Sequence, residues 1–260
     1  MSRFAPVVPI QIARRLKEIG HLGGYHLLLA HDVVDKPETY KEVYGDLDHR
    51  TLILDNSLVE LGRPMTFEEM QPAVKLLNPE YVVLPDILND SFGTLDLAEE
   101  FQREIAHLHA SILFYPDLAG VIQGRSLSEC MLCARVFVKS LRVDMLCVPR
   151  VLVETLGTRV CLVQMLGERY PDIPIHLLGF SNSLLDDVNA ARKLGVTGID
   201  SAVPIRAALK GMSMSLSLPL FDPGPRGNYW EAPQEFVESK LPAIVHQITT
   251  YRGWINDAYS

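Results

Sequence analysis

The chain has 260 residues, of which 48% are hydrophobic and 22% charged, and its formal net charge at pH 7 is −8. This composition provides enough apolar side chains for one large folded domain and differs from that of disordered chains. The negative net charge excludes a uniformly basic surface, although a local basic patch for nucleic acid remains compatible with it.

Signals for export and for membrane insertion are missing from the sequence. No apolar run reaches the roughly 18 residues that a membrane-spanning helix needs. The N-terminal segment MSRFAPVVPIQIARR lacks the apolar stretch and cleavage site of a signal peptide. Four cysteines in 260 residues do not form a disulfide framework. We therefore expect a soluble protein of the cytoplasm, with no membrane partner.

Short apolar runs alternate along the chain with amphipathic stretches of helical length. The runs are dense in Val, Ile and Leu, which is typical of parallel strands buried on both faces. Strands are predicted at residues 5–9, 25–30, 51–54, 81–84, 119–122, 143–148, 173–178 and 195–199. Helices are predicted at residues 10–19, 66–77, 94–109, 126–141, 153–170 and 182–194. Thr66 with Glu69, and Ser126 with Glu129, have the spacing of capping boxes at two helix starts.

Eight alternations of strand and helix predict either a closed barrel or a doubly wound sheet. Eight strands in one domain of this length favour a single-domain (β/α)8 barrel of the TIM type, over about residues 5–210. No GxGxxG motif follows the first strand, which disfavours a dinucleotide-binding fold. Residues 211–260 are expected to form a C-terminal extension, with a Pro/Gly-rich loop at 213–230 and an outer helix at 234–251. Residues 40–50 carry too weak a pattern to assign.

Polar residues follow most of the predicted strands, where a barrel gathers its catalytic groups. They are His31 and Asp32, Asp55 to Ser57, Asp86, Gln123 and Gly124, Pro149 and Arg150, Gly179, and Asp200 and Ser201. An Asp after a strand is about as often the N-cap of the next helix. A cap accepts Ser or Thr equally well, however, so several acids at corresponding strand ends indicate a shared site.

Several of these segments resemble the tRNA-guanine transglycosylases. Residues 175–210 are similar to the late barrel of that family, and Asp200, Pro204 and Arg206 match its Asp-Cys-x-x-Pro-Thr-Arg motif. The run Gly120-Val-Ile-Gln-Gly124 is similar to its Gly-Ile-Val-Gln-Gly. The run Leu54-Asp-Asn-Ser57 stands where the family has Asp-Ser-Gly-Gly, and Leu84-Pro-Asp86 stands where it has a second, base-reading Asp. The resemblance covers roughly residues 5–210.

The resemblance implies a base-exchange reaction with defined roles for these residues. Asp200 would be the nucleophile that attacks C1′ of the sugar. Asp55 would be the acid/base that protonates the departing guanine and deprotonates the incoming base. The implied base-binding residues are Asp86, Gln123, Gly124, Leu178 and Gly179, together with Val59. Val59 stands near the position at which the family has an aromatic residue that stacks on the base. In this chain Val59 and Leu178 would enclose the base instead.

The chain departs from the family in its cysteines and in its size. The family's C-terminal zinc motif is absent, and we expect Cys130, Cys133, Cys147 and Cys161 to be core thiols. We therefore expect neither a metal nor another cofactor. The short length is similar to that of viral members, which insert 7-deazaguanine derivatives into DNA, so the resemblance favours DNA over tRNA as the partner (in the host cytoplasm, if the chain is viral).

Four arginines follow strand ends and would ring the same mouth, where they could contact phosphates. They are Arg63, Arg125, Arg150 and Arg206. The expected activity is that of a pentosyltransferase that replaces guanine in nucleic acid with a base such as preQ0 or a relative. A tRNA-modifying enzyme, a noncatalytic partner subunit and a barrel enzyme of small metabolites remain alternatives. The sequence leaves the particular deazaguanine open and is compatible with a homodimer.

Overall fold

The fold is an eight-stranded parallel barrel surrounded by helices. A computed structural model describes residues 3–48, 52–108, 115–180, 184–212 and 234–256. The strands are β1 (Arg3–Pro6), β2 (His26–Leu29), β3 (Leu52–Asp55), β4 (Tyr81–Val83), β5 (Asp117–Val121), β6 (Met145–Pro149), β7 (Ile175–Leu178) and β8 (Gly198–Ser201). The predicted (β/α)8 barrel is thus confirmed, although most strand boundaries differ from the predicted ones by one to three residues.

The strands follow one another around the barrel in chain order. Each strand from β2 to β8 pairs in parallel with the next, and β8 pairs with β1, placing Ala5 opposite Asp200. At the remaining seam, between β1 and β2, the Arg3 guanidinium lies 4.2 Å from the centroid of the Tyr25 ring. This contact bridges the one junction at which no strand pairing occurs among the described residues. The sheet is therefore a nearly closed barrel.

Helices connect the strands around the outside of the barrel. They are α1 (Ile10–Glu18), α2 (Ala30–Asp35), α3 (Pro37–Tyr44), α4 (Leu58–Leu61), α5 (Phe67–Leu77), α6 (Ser91–Leu108), α7 (Leu127–Val136), α8 (Leu152–Leu156), α9 (Val160–Arg169), α10 (Leu184–Lys193), α11 (Val203–Leu209) and α12 (Gln234–Asn256). The predicted capping box of Thr66 and Glu69 is present at the start of α5. Ser126 accepts a hydrogen bond from the Glu129 amide, but Glu129 bonds the Arg125 amide instead of closing the box.

Two sequence expectations about helices are wrong in detail. The single helix expected at 153–170 is two helices, α8 and α9, because Gly157 takes a left-handed conformation with φ of +73° and ends α8. The helix expected at 126–141 continues as a π-helical turn, Phe137–Leu141. The Phe137 ring lies so close to Gly120 that a Cβ there would be 2.7 Å from it. The weakly patterned stretch at 40–50 includes the end of α3.

Apolar side chains fill two layers, one inside the barrel and one between the strands and the helices. The inner layer includes Tyr25, Leu27 and Leu29 near β2, which alternate with outward-facing residues. α12 packs on the outside, where its Tyr251 stacks on Phe180 with ring centroids 5.2 Å apart. This confirms the expected outer helix, whereas the Pro/Gly-rich loop at 213–230 lies outside the described residues. No described helix is both long and apolar enough to cross a membrane.

Candidate active site

The carboxyl ends of the strands bring Asp55, Asp86, Gln123 and Asp200 to the same end of the barrel. The pKa of the Cys147 thiol in β6 is raised well above its ordinary value first by burial and then by Asp55, Asp200 and Asp86, in order of decreasing effect. Asp55 and Asp200 lie in β3 and β8, and Asp86 follows β4. The site lies where a barrel enzyme has its active centre.

Asp200 is held in place through one of its two carboxylate oxygens. Oδ1 accepts a hydrogen bond from the Gly179 backbone N–H at 3.0 Å. The same atom lies 3.1 Å from Nε2 of His176, which is fully buried in β7. Gly179 has a φ of +69°, a left-handed conformation that glycine adopts without strain. The turn after β7 therefore presents its amide to the carboxylate.

Asp86 and Gln123 form a buried pair of carboxylate and amide. Gln123 donates from Nε2 to Oδ2 of Asp86 at 2.6 Å, and Asn56 donates from Nδ2 to Oδ1 at 3.0 Å. The Gln123 oxygen accepts from the Asn89 backbone N–H at 2.9 Å, which orients the amide. Burial raises the pKa of Asp86 to about 6, although the two donors act in the opposite direction. The pair thus places acceptors and donors side by side in a buried position.

Asp55 ends β3 in a half-buried position beside a strained turn. Its Oδ2 accepts from the Ser57 backbone N–H at 2.9 Å. Ser57 has a φ of 62°, a left-handed conformation that is uncommon outside glycine. Its hydroxyl is buried and accepts from the His31 backbone N–H at 3.3 Å. Strain of this kind recurs at functional sites, where the surrounding contacts maintain it.

Gly124 and Val59 stand in different surroundings although both were expected to contact the base. A Cβ on Gly124 would lie 2.9 Å from the Cβ of Glu129 and 3.0 Å from the Cys130 backbone nitrogen. Only glycine therefore lets this turn approach the start of α7. Val59 lies on α4 and is 66% exposed, while Leu178 is half-buried against the inner layer. Val59 thus stands at the rim of the site and Leu178 in its wall.

The four arginines of the expected basic rim differ in their surroundings. Arg150 is exposed directly after β6, and Arg125 is exposed four residues after the end of β5. Arg63 is exposed as well, but both of its terminal nitrogens bond the Glu69 carboxylate, at 2.8 and 2.7 Å. Arg206 is half-buried on α11. Arg125 and Arg150 are therefore the members best placed to contact an anion.

Arg159 is a buried residue of the site that the sequence analysis missed. It lies just before α9, is only 1% exposed, and pairs with the equally buried Asp187 of α10 at 2.9 Å. Its guanidinium also donates to the backbone oxygens of Val148, Leu178 and Gly179. It therefore holds the turn after β7 that contacts Asp200. No local pattern around Arg159 distinguishes it from a surface arginine.

Asn56, His176 and Tyr25 were also given no role in the site. A sequence signal existed for His176, because it is two residues before Leu178 and strand residues at that spacing share a face. Asn56 directly follows the expected acid/base and could have been included for that reason. Tyr25 comes from the distant start of β2, and its contact with His176 has no counterpart in local sequence.

The cysteines do not form a metal site with the acids of the barrel. Cys130, Cys133 and Cys147 are buried, as expected of core thiols, but Cys161 is exposed on α9, so that expectation was wrong for Cys161. The α9 face that carries Cys161 points away from the strands. Within the described ranges, no three His, Cys, Asp or Glu side chains are grouped so as to hold a metal ion.

Comparison with known proteins does not assign the chain to a family. No protein-family model matches the sequence, and no curated protein matches it significantly. The functional argument therefore depends on the geometry of the site and on the motifs in the sequence.

Proposed function

We propose that this chain is a pentosyltransferase that exchanges guanine in nucleic acid for a 7-deazaguanine, such as preQ0 or a relative. The observation that carries the proposal is that three carboxylates at the same end of the barrel have different surroundings. Asp200 is held through one oxygen, Asp86 is buried against the Gln123 amide, and Asp55 stands half-buried at the end of β3. Three different environments at one end of the barrel suit three different roles.

The proposed reaction consists of two displacements at C1′. Asp200 attacks C1′ while the bond from C1′ to the guanine nitrogen breaks, and the departing base takes its electron pair and a proton from Asp55. The incoming base then gives a proton to Asp55 and attacks C1′, which releases the Asp200 carboxylate. A carboxylate suits this role because the transition state resembles an oxocarbenium ion. The two displacements together retain the configuration at C1′.

The buried pair of Asp86 and Gln123 supports guanine-type bases as the substrate class. The edge of guanine presents an N–H and an amino group as donors beside a carbonyl acceptor. A carboxylate can accept from the two donors, and an amide or backbone N–H can donate to the carbonyl. In the structure, the two oxygens of Asp86 accept hydrogen bonds from Asn56 and Gln123, so this carboxylate already acts as an acceptor for two donors.

DNA is the favoured polymer in this proposal. The family that the sequence resembles includes viral transglycosylases, which modify DNA. The exposed Arg125 and Arg150 lie at the same barrel end as the carboxylates and are placed to contact phosphates despite the net charge of −8. tRNA remains the alternative polymer, and the first experiment separates the two.

The test measures the exchange of radiolabelled guanine into duplex DNA and into tRNA. Wild-type protein should incorporate label into DNA, and Asp200→Asn should reduce exchange below detection because no carboxylate remains to capture the sugar. Asp55→Asn should slow exchange by about 10²- to 10⁴-fold, the usual contribution of proton transfer. Asp172→Asn, which changes an exposed residue after α9, is the matched control and should retain full activity.

The same assay defines the outcomes against the proposal. Label in tRNA alone would show that the polymer is wrong and the chemistry right. Near-normal exchange by Asp200→Asn would exclude the covalent mechanism. Failure of the wild-type protein on both polymers would favour a noncatalytic partner subunit.

A further inference from the structure

A chain of buried polar side chains crosses the inside of the barrel and ends at Asp200. The hydroxyl of Tyr25 lies 2.8 Å from Nδ1 of His176, and Nε2 of the same ring lies 3.1 Å from Oδ1 of Asp200. Tyr25 is 3% exposed and His176 is fully buried. The two residues come from β7 and from the start of β2, 151 positions apart in sequence. A polar chain in the interior of a barrel otherwise filled with apolar side chains calls for a specific role.

The hydrogen bonds between Tyr25, His176 and Asp200 require a proton on Nε2 of His176. The carboxylate of Asp200 can only accept, so Nε2 of His176 must carry a proton. In the neutral ring Nδ1 is then an acceptor, and it accepts the hydroxyl proton of Tyr25. Burial raises the pKa of Tyr25 well above its ordinary value, which keeps that hydroxyl protonated. Both nitrogens of the His176 ring are then satisfied without a charge on the ring.

Two further contacts fix the position of the Tyr25 ring. The Arg3 guanidinium covers one side of its ring, 4.2 Å from the centroid. The ring also fills the space beside Gly198 of β8, where a Cβ would lie 2.3 Å from its edge. Gly198 thus leaves room for the ring two residues before Asp200. The tyrosine hydroxyl can therefore move little relative to His176.

We infer that His176 and Tyr25 are positioning residues that hold Oδ1 of Asp200 and leave Oδ2 to attack the sugar. This inference rests on the proposed function, since it assigns the attacking atom of that reaction. Oδ1 receives hydrogen bonds from both His176 and the Gly179 amide. Oδ2 receives none from the part of the chain that the structure describes.

The test compares variants of the chain in the exchange assay. Tyr25→Phe removes one hydroxyl and should lower kcat by roughly 3- to 10-fold, as expected for one hydrogen bond. His176→Leu removes both hydrogen bonds and should lower kcat by about 10²-fold, since Asp200 is then misplaced. His176→Gln, whose amide can donate to Asp200 and accept from Tyr25, should fall between wild type and His176→Leu. KM for the base should stay unchanged in all three, because Asp86 and Gln123 are untouched.

The control separates positioning from stability. Tyr44→Phe removes the hydroxyl of a buried tyrosine outside the barrel and should leave kcat at the wild-type value. A purely structural role of His176 would make activity follow the folded fraction, with His176→Gln no better than His176→Leu. Equal kcat in Tyr25→Phe and wild type would overturn the inference while the proposed function stands.

A spectroscopic measurement tests the hydrogen bonds between Tyr25, His176 and Asp200 without an activity assay. Nitrogen-15 NMR of the imidazole rings should show a proton on Nε2 of His176, assigned by the signals that vanish in His176→Gln. A ring whose only proton is on Nδ1 would overturn the inference. Should the wild-type protein exchange no base, the proposed function fails, and the NMR result still decides whether the hydrogen-bonded chain holds Asp200.

Discussion

At the scale of single residues, the site separates three chemically identical carboxyl groups by their surroundings. Asp200 receives a backbone N–H and an imidazole, Asp86 receives two side-chain amides in full burial, and Asp55 receives the amide of a strained serine. Differences of this kind are how one fold obtains a nucleophile, a recognition group and an acid/base from the same residue type. The raised pKa of Asp86 is the measurable sign of that separation.

Asp86→Asn should change how the free energy of unfolding depends on pH. The pKa of Asp86 is raised from 3.8 to about 6, so its protonated form favours folding. The contribution of Asp86 to the free energy of unfolding is fully present below the pKa that this group has in the unfolded chain. It is lost as the pH rises through the higher pKa that the group has in the folded protein. Since one pKa unit corresponds to about 1.4 kcal/mol, the variant should gain on the order of 3 kcal/mol over wild type between pH 4 and pH 7. Urea titrations at several pH values measure this difference.

The control for this titration is Asp172→Asn, which removes an exposed carboxyl group. The difference in free energy of unfolding between this variant and wild type should vary far less with pH, because solvent screens an exposed charge. If the difference in free energy of unfolding between Asp86→Asn and wild type did not change with pH, the raised pKa of Asp86 would be contradicted. The Asp86→Asn variant should also lose the proposed base exchange, so that stability at neutral pH is gained where that activity is lost.

At the scale of secondary-structure elements, the buried ion pair of Arg159 and Asp187 joins the helices to the active end of the barrel. Arg159 precedes α9, Asp187 lies in α10, and the guanidinium bonds carbonyls at the ends of β6 and β7. α9 can begin at this point because Gly157 ends α8. The turn that contacts Asp200 is therefore held from outside the barrel as well as from inside.

Arg159→Met should destabilise the protein by about 3–5 kcal/mol, because it removes the guanidinium that pairs with the buried Asp187 carboxylate. The double variant with Asp187→Leu should be less destabilised than the sum of the single variants, since neither charge of the pair is then buried. Chemical denaturation of the four proteins measures this coupling. Additive effects of the two substitutions would mean that the ion pair carries no such energy.

At the scale of the whole molecule, an acidic protein carries exposed arginines at the end of the barrel that holds its carboxylates. The net charge of −8 repels nucleic acid in general, so the proposed contact with phosphates must be local. Arg125 and Arg150 are exposed after neighbouring strands, β5 and β6. A short basic rim of this kind would orient a polymer over the site and contribute little to its sequence preference.

Arg125→Glu and Arg150→Glu should each weaken binding of unrelated DNA sequences to a similar extent. Each lost phosphate contact should also reduce the slope of log K against log salt by about 0.9 for a duplex. Fluorescence anisotropy over a range of salt concentrations measures both effects. Arg169→Glu, an exposed residue at the far end of α9, makes the same charge change as a control and should leave the slope unaltered. Equal effects of all three variants would locate DNA binding elsewhere.

The barrel and the strand ends that carry the acids were predictable from sequence for a physical reason. Parallel strands buried on both faces require continuous apolar runs, and their carboxyl ends meet at one end of a barrel wherever the boundaries fall. Asp55, Asp86, Gln123 and Asp200 could therefore be placed together although β1, predicted at 5–9, begins at Arg3. The capping box at Thr66 was equally readable, because it involves residues three positions apart.

Only the tertiary structure decided how the acids are held and which atoms they present. Tyr25 meets His176 across 151 positions, and Arg159 reaches Asp187 and the ends of two strands. Contacts of this kind depend on distance in space. Burial changes the hydrogen bonding and charge of a group, but the residues next to it in sequence carry no signal of that change. The sequence by itself determined the barrel and the strand ends at which the acids gather. Packing determined which oxygen of Asp200 is held and why Asp86 has a raised pKa.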